Sequence, residues 1–216
     1  MRALKICTIA LLSCMLFISL PASAASVTVS SYSMLNGAHG SFNYRDFTYV
    51  PCNGVCDVTG AALSGGTGKL TDGVSPALSW YQYGELTPWV GWDLNQGLLN
   101  PTVVFNFPTS ITITSMTVWV DNTIGYGGVY LPSSVSIDGI SFPIAPDNVN
   151  PNPRAYTFSG LNLTGSSANV QFFQTSGYPW VMVGEVSFTQ TPEPATMTLA
   201  ASGLAMAWWR RRKARS

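Results

Sequence analysis

Short segments with a strand-like pattern fill the chain between residues 25 and 190. In each segment β-branched or aromatic residues alternate with polar ones, and Gly, Pro, Asn or Asp separates it from the next. A period of two is typical of strands with one buried and one solvated face. The predicted strands are residues 27–35, 102–107, 111–120, 135–142, 155–163, 168–174 and 180–188. We therefore predict an all-β fold, a single β-sandwich of the jelly-roll type.

Three segments predict which side chains share a face. The odd-numbered residues of 102–107 are apolar and should face the core. Between residues 111 and 120 the apolar positions shift from odd to even, which predicts a bulge near Ser115. In the last segment Glu185 is expected on the polar face. The opposite face of that segment is predicted to hold four apolar residues, Trp180, Met182, Val186 and Phe188.

The first 24 residues have the pattern of a cleaved signal peptide. Arg2 and Lys5 precede an apolar run over residues 6–20, and small residues at 22–24 predict cleavage by signal peptidase after Ala24. The run is shorter than the ~20 residues that span a bilayer. Lipidation of Cys14 is a rival reading, but the apolar run continues beyond that residue.

The other end has three parts in a fixed order. Pro192, Glu193 and Pro194 precede an uncharged stretch over residues 195–209, and a basic cluster follows, Arg210, Arg211, Arg212 and Lys213. As a short transmembrane helix, this stretch would keep its basic end in the cytoplasm and the domain outside it. The pattern resembles the PEP-CTERM sorting signal.

That resemblance implies a route for the protein. An exosortase-type membrane protease would recognise the tail and cut near Pro-Glu-Pro. The protein would then pass from a transient anchor in the inner membrane to the cell surface or extracellular matrix of an exopolysaccharide-producing Gram-negative bacterium. A simple membrane anchor is the alternative. The chain is thus divided into a signal peptide (1–24), a β-sandwich (25–190) and a sorting tail (191–216).

Charge and cysteine content narrow the chemistry of the central part. Residues 25–191 contain three basic residues against nine acidic ones, so a nucleic-acid partner is not expected. Cys52 and Cys56 are predicted to form a disulfide across an Asn53-Gly54 turn, since the chain is exported. Zinc would need further ligands, and His39 is the chain's one histidine.

A second resemblance covers residues 69–188. The segments that carry it, in order, are residues 69–73, 89–94, 103–107, 128–137 and 180–188. They resemble the loops and strands of discoidin-like, galactose-binding-like domains. Many members of that family bind carbohydrate through loops at one end of the sandwich, which implies a glycan ligand here.

Four neighbouring aromatic residues are the predicted sugar-stacking surface: Trp80, Tyr81, Tyr83 and Trp89. Flat ring faces complement the C–H faces of sugars. The alternative is that Trp89 and Trp92 belong to the core and that only Tyr81 or Tyr83 is exposed, because large aromatic side chains are mostly buried.

The discoidin-like resemblance also implies a structural Ca²⁺ ion between Asp72 and Glu185. Asp72 lies in a Thr-Asp-Gly loop, and Ca²⁺ prefers mixed carboxylate and carbonyl oxygens. Alternatively, Asp72 caps a turn and Glu185 pairs with Lys69 or Arg154.

No sequence pattern proposes a catalytic centre. No serine lies in a Gly-x-Ser-x-Gly elbow. The chain has so few acidic residues that no particular pair of carboxylates can be assigned to glycoside hydrolysis. The predicted function is a non-enzymatic surface or matrix protein that binds extracellular polysaccharide or has a structural role. A secreted carbohydrate-active enzyme and a membrane-anchored structural protein are the alternatives.

Overall fold

Two very long strands run through the whole domain and connect its two layers. The computed structural model describes residues 24–145, 152–191 and Gly203. The strands are β1 (Ala25–Val27), β2 (Ser31–Leu35), β3 (Ala62–Gly66), β4 (Val90–Asp93), β5 (Thr102–Val120), β6 (Ser134–Ile137), β7 (Ile140–Pro143), β8 (Arg154–Phe173) and β9 (Trp180–Gln190). Within residues 24–145 and 152–191, the helix α1 covers Trp80–Tyr83, and single 3-10 turns cover Gly84–Leu86, Leu94–Gln96 and Tyr126–Gly128.

The pairs between these described strands are antiparallel, and β5 and β8 lie side by side. The first half of β5 also pairs with β2, and the second half of β8 with β6. The second half of β5 pairs with β9, which in turn pairs with β1 and β4. The two halves of β5 and β8 therefore belong to different layers of one folded sheet.

Aromatic side chains fill the space between the layers. Phe105 of β5 meets Phe188 of β9 with ring centroids 5.2 Å apart, and Trp92 of β4 stacks on Phe172 of β8 at 6.2 Å. All four side chains are fully buried. Each such residue removes a large apolar surface from water, which is the main contribution to stability. The predicted all-β sandwich is confirmed.

The bulge predicted near Ser115 is confirmed, because the pairing of β5 shifts register between Ile113 and Ser115. The odd-numbered apolar residues of 102–107 are also buried as expected. Segments predicted as separate strands are continuous: 102–107 and 111–120 lie in β5, and 155–163 and 168–174 lie in β8. Irregularities inside a strand look like strand ends when only the sequence is known.

The predicted face of the last strand is partly wrong. Val118 and Val120 of β5 lie opposite Val186 and Val183, so β9 contains one extra residue between them. This bulge reverses the alternation. Val181 and Val183, rather than Met182, therefore belong to the main core with Val186 and Phe188, and Trp180 packs only against its edge. Met182 faces a second, smaller cluster, with Tyr44, Trp80, Trp89 and Val129, and Trp180 also packs against it.

A buried polar network joins strand β2 and two loops around Asp46, whose side chain is fully buried. The Asp46 carboxyl accepts hydrogen bonds from the Tyr32 hydroxyl, the Thr48 hydroxyl and the Lys69 backbone N–H. Burial, followed by the nearby Asp46, raises the pKa of Tyr32 above its usual range. A side chain at Gly68 would place its Cβ 2.5 Å from this carboxyl, so glycine is required there.

Lys69 is buried beside this network. Its ammonium lies 3.9 Å from the Phe47 ring centroid and donates to the Arg45 carbonyl at 2.7 Å. Burial lowers the pKa of Lys69 to about 8.

The predicted disulfide between Cys52 and Cys56 is present. Asn53 and Gly54 both have positive φ, and the Val55 N–H donates to the Cys52 carbonyl at 3.2 Å, which closes the expected tight turn.

Both predicted targeting segments lie almost entirely outside the described residues. The signal peptide up to residue 23 and the tail from Pro192 onward, except Gly203, are not described. Within the described part, no helix is long and apolar enough to cross a membrane. Residues Ala25–Gln190 form one compact unit.

Candidate functional site

A cleft of about 500 Å³ opens beside α1, at the loop between β5 and the 3-10 turn at Tyr126. Its apolar lining consists of Tyr81, Ile124 and Tyr126. Its polar lining consists of Ser79, Gln82, Asn122, Thr123 and Asn152. The volume is in the range of pockets that hold small ligands.

Two tyrosine rings form the exposed aromatic part of the cleft. Tyr81 is 44% exposed and Tyr126 is 64% exposed, and their ring centroids lie 5.1 Å apart at 66°. Both pack on the buried Trp80, with centroids 5.6 Å away for Tyr81 and 5.9 Å away for Tyr126. Each ring is therefore partly packed against Trp80 and partly exposed to solvent.

Glycines around Tyr126 allow this arrangement. Gly125 and Gly127 have φ values of 84° and 62°, in the left-handed region that favours glycine. A Cβ on Gly127 would also lie 2.4 Å from the Trp80 ring, so the loop must pass directly over the indole. On the other side, the Gln82 side chain accepts the Ser79 N–H at 3.0 Å and fixes the start of α1.

Asp121 holds the walls of the cleft together from behind. Its fully buried carboxyl accepts hydrogen bonds from the Trp80 backbone N–H at 2.7 Å, the Thr123 hydroxyl at 2.7 Å and the Asn152 amide at 2.9 Å. These donors come from α1, the loop after β5 and the residues before β8. Burial raises the pKa of Asp121, although these hydrogen bonds oppose the rise.

The structure separates the four predicted sugar-stacking residues. Trp89 is fully buried and Trp80 is 6% exposed, so neither offers a ring face to solvent. Tyr83 is half-buried, and its hydroxyl accepts the Ala77 and Leu78 N–H groups. Tyr81 is the one of the four that lines the cleft. Ligand binding by these residues stays a prediction.

Sequence reasoning missed Tyr126, Asp121 and Asn152. Tyr126 carries a usable signal, because an aromatic residue flanked by Gly125 and Gly127 in a turn is exposed more often than one in a strand. Asp121 and Asn152 carry none, since each acquires its role only from residues that are distant in sequence.

Asp72 and Glu185, predicted as metal ligands, are brought together at another place in the domain. Glu185 lies in the β9 bulge, is largely buried, and accepts the Gly73 N–H at 3.1 Å. Burial raises the pKa of Glu185 to about 7, and the nearby Asp72 carboxyl adds to the rise. Burial also raises the pKa of Asp72. The expected turn cap is present too, because Asp72 accepts the Val74 N–H at 2.8 Å.

The surroundings of this carboxylate pair fit a calcium ion. Two acidic groups held together in a partly buried place favour a compensating cation. The Thr71 hydroxyl oxygen is buried without a hydrogen-bond partner in the described structure, and it precedes Asp72 directly. No cluster of three or more His, Cys, Asp or Glu side chains occurs among the described residues. The other ligands would therefore be uncharged oxygens, which Ca²⁺ accepts readily.

Comparison with known proteins gives the tail a clear match. The model of the PEP-CTERM protein-sorting motif matches residues 190–213, which confirms the predicted sorting signal.

Solved structures similar to the domain have low sequence identity. A truncated AlyQ with CBM32 and alginate lyase domains is 12% identical with a TM-score of 0.45, covering 80% of this chain and 35% of its own. The CBM32 of AlyQ, in complex with 4,5-unsaturated mannuronic acid, is 11% identical with a TM-score of 0.42, over 76% of this chain and 97% of its own. The family 32 CBM of Clostridium perfringens NanJ, in complex with galactose, is 16% identical with a TM-score of 0.34, over 56% and 88%.

The chain thus spans about a third of the length of the two-domain AlyQ chain. It ends in a protein-sorting motif and carries an all-β domain similar to CBM32 structures.

Proposed function

We propose that this chain is an exported surface or matrix protein whose β-sandwich binds carbohydrate in the cleft beside α1. The sorting signal supports the location, and the cleft supports the activity. We propose further that an exosortase cleaves the tail and that the producing cell is an exopolysaccharide-producing Gram-negative bacterium. The ligand would then be part of the extracellular polysaccharide of that bacterium.

The pair of exposed tyrosine rings over a polar cleft is the observation that carries the proposal. Ring faces stack on the C–H faces of a sugar, and neighbouring amides and hydroxyls bond its hydroxyl groups. Tyr81 and Tyr126 supply the rings, and the exposed Gln82 supplies an amide. Trp80 and Asp121 already hold the walls in place, so little ordering is needed when the ligand binds.

The lining favours binding over hydrolysis. Glycoside hydrolysis usually needs two carboxyl groups that flank the scissile bond. None of the described residues that line the cleft is Asp, Glu or His, and the Asp121 carboxyl is buried behind the wall. We therefore propose a binding protein without catalytic activity, and a carbohydrate-active enzyme is the alternative.

Replacing Tyr81 or Tyr126 by alanine should weaken carbohydrate binding about tenfold each, the equivalent of ~1.4 kcal/mol of lost ring contact. The measurement is affinity electrophoresis or calorimetry with the exported protein and the extracellular polysaccharide of the producing cells. Leu86→Ala is the matched control, because Leu86 is 83% exposed, close to α1 in sequence and outside the cleft lining.

Unchanged binding in both tyrosine variants would exclude this cleft as the site. Hydrolysis of the polysaccharide by the wild-type protein would favour the enzyme.

We also expect the protein recovered from the cell surface to lack both ends. Both terminal apolar runs are short for a stable span, and each borders a processing signal. Intact-mass analysis should give a chain that begins near Ala25 and has lost the basic cluster at 210–213. Surface protein that retains this cluster would instead indicate a permanent anchor.

We further propose that Ca²⁺ binds at Asp72 and Glu185, with the Thr71 hydroxyl as a neutral ligand. The ion would have a structural role, since it would join the loop before α1 to strand β9.

A further inference from the structure

The described residues that line the cleft beside α1 include no cationic side chain. Its described lining residues are aromatic, aliphatic, amide or hydroxyl side chains, with no Lys or Arg among them. Proteins that recognise carboxylate or sulfate groups normally supply a guanidinium, an ammonium or a convergent set of N–H donors. The composition of this lining therefore indicates which ligand charge the cleft can accept.

Residues 25–191 contain three basic side chains, and none of them belongs to the described lining of the cleft. The buried Lys69 ammonium donates to the Arg45 and Trp89 carbonyls. The Arg45 guanidinium donates to Asn43 and to the Asp57 carbonyl. Arg154 starts β8, pairs in register with Val120 and is not part of the cleft lining.

The hydrogen-bond donors of two residues in the cleft wall, Asn152 and Thr123, point into the protein and away from the cleft. Both amide hydrogens of Asn152 are used, one toward the Ser79 hydroxyl at 2.6 Å and one toward Asp121 at 2.9 Å. The Thr123 hydroxyl donates its one hydrogen to Asp121 at 2.7 Å. Asn152 and Thr123 thus have only lone pairs left for a ligand. The Gln82 amide, the Ser79 hydroxyl and the tyrosine hydroxyls, all uncharged, remain as donors.

The buried Asp121 carboxyl lies directly behind this wall. A negative group brought into the cleft would meet lone pairs, a buried carboxyl and a domain with three basic residues against nine acidic ones. A sugar hydroxyl meets no such penalty, because it donates to the lone pairs and accepts from Gln82. Desolvation of a charge without a partner adds to the penalty.

We propose that the cleft selects uncharged sugar units and rejects uronate and sulfated ones. This rests on the carbohydrate binding proposed above and adds the ligand class. The Asp121 network acts as the positioning element that creates this selectivity, since it withdraws the donors that an anion needs.

The test compares polysaccharides that differ only in charge. The exported protein is titrated with neutral gluco-, galacto- and mannopolysaccharides, with the same polymers oxidised at C6 to uronates, and with the uronamides made from them. The uronamide keeps the shape of the oxidised sugar without its charge. Titrations at low and high salt separate electrostatic repulsion from lost contacts, because salt screens exposed charges over a Debye length of about 10 Å at 0.1 M.

We expect the neutral polymer and its uronamide to bind, and the uronate to bind at least about tenfold more weakly at low salt, a gap of ~1.4 kcal/mol. High salt should narrow the gap. Ile124→Lys, at an exposed lining position that the described hydrogen bonds do not use, should tighten uronate binding. Leu86→Lys, at an exposed position outside the lining, should not.

Uronate binding that equals or exceeds neutral binding at low salt would overturn the selectivity and leave the carbohydrate-binding function standing. Selective loss of uronate binding in Arg154→Gln would also overturn the selectivity and leave the carbohydrate-binding function standing, since Arg154 would then be a cation of the site. If none of the polymers binds, the proposed function fails, and the selectivity fails with it.

Discussion

Replacing Asp46 by alanine should lower the free energy of unfolding by about 3–5 kcal/mol, the usual cost of removing one partner from a buried charged network. The substitution leaves the Tyr32 hydroxyl and the Lys69 N–H without their acceptor inside the core. Each unpaired buried group costs about 1–3 kcal/mol. Urea unfolding of the exported protein, followed by tryptophan fluorescence, measures the loss.

Asp57→Ala is the matched control for this prediction. Asp57 lies 11 positions further along the same stretch of chain, and its residue is exposed to solvent. We expect its substitution to change stability by less than about 0.5 kcal/mol. Tyr32→Phe, which removes one donor but keeps the ring, should fall between the two. Equal stabilities of the Asp46 and Asp57 variants would mean that the network does not support the fold.

Calcium should raise the thermal unfolding midpoint of the exported protein. A ligand that binds only the native state at 1,000 times its dissociation constant adds about 4 kcal/mol of stability. Glu185→Gln should abolish the calcium-dependent shift, because it removes one of the two carboxylates. The midpoint is measured in millimolar Ca²⁺ and in excess chelator.

Asp72→Asn separates a metal ligand from a turn cap. An asparagine oxygen still accepts the Val74 N–H, so the turn is kept while one negative charge is lost. A smaller calcium shift in this variant indicates a ligand, and an unchanged shift indicates a cap only. Glu85→Gln, at an exposed acid outside the Asp72 and Glu185 pair, is the control. Identical wild-type midpoints in calcium and in chelator would remove the metal site.

The sequence by itself determined the features that depend on residues close together in the chain: the strands, one bulge, one turn and the sorting motif. Alternating apolar and polar residues predicted the strands, because the strand period of two exposes one face of a sheet. The parity change near Ser115 predicted a bulge within one strand. Asn53 and Gly54 predicted the turn between the two cysteines. The sorting motif is likewise a linear signal, read over residues 190–213.

The approach of Asp72 to Glu185 was predicted from a family resemblance, since periodicity and spacing do not join residues so far apart. The H-bond between Gly73 and Glu185 spans 112 positions of sequence. The face of Trp180 and Met182 was assigned wrongly for a related reason. An extra residue in β9 is visible only against its partner strand, β5.

Only the tertiary structure decided which aromatic residues face solvent. Trp80, Tyr81 and Trp89 are near neighbours with similar hydrophobicity, yet Trp89 is fully buried and Tyr81 is 44% exposed. The difference arises because Trp80 and Trp89 pack into a cluster with Tyr44, Val129 and Met182. Asp121 reaches Trp80 across 41 positions and Asn152 across 31. The cleft therefore exists only where three distant segments meet, and burial there depends on contacts that no local pattern of residues encodes.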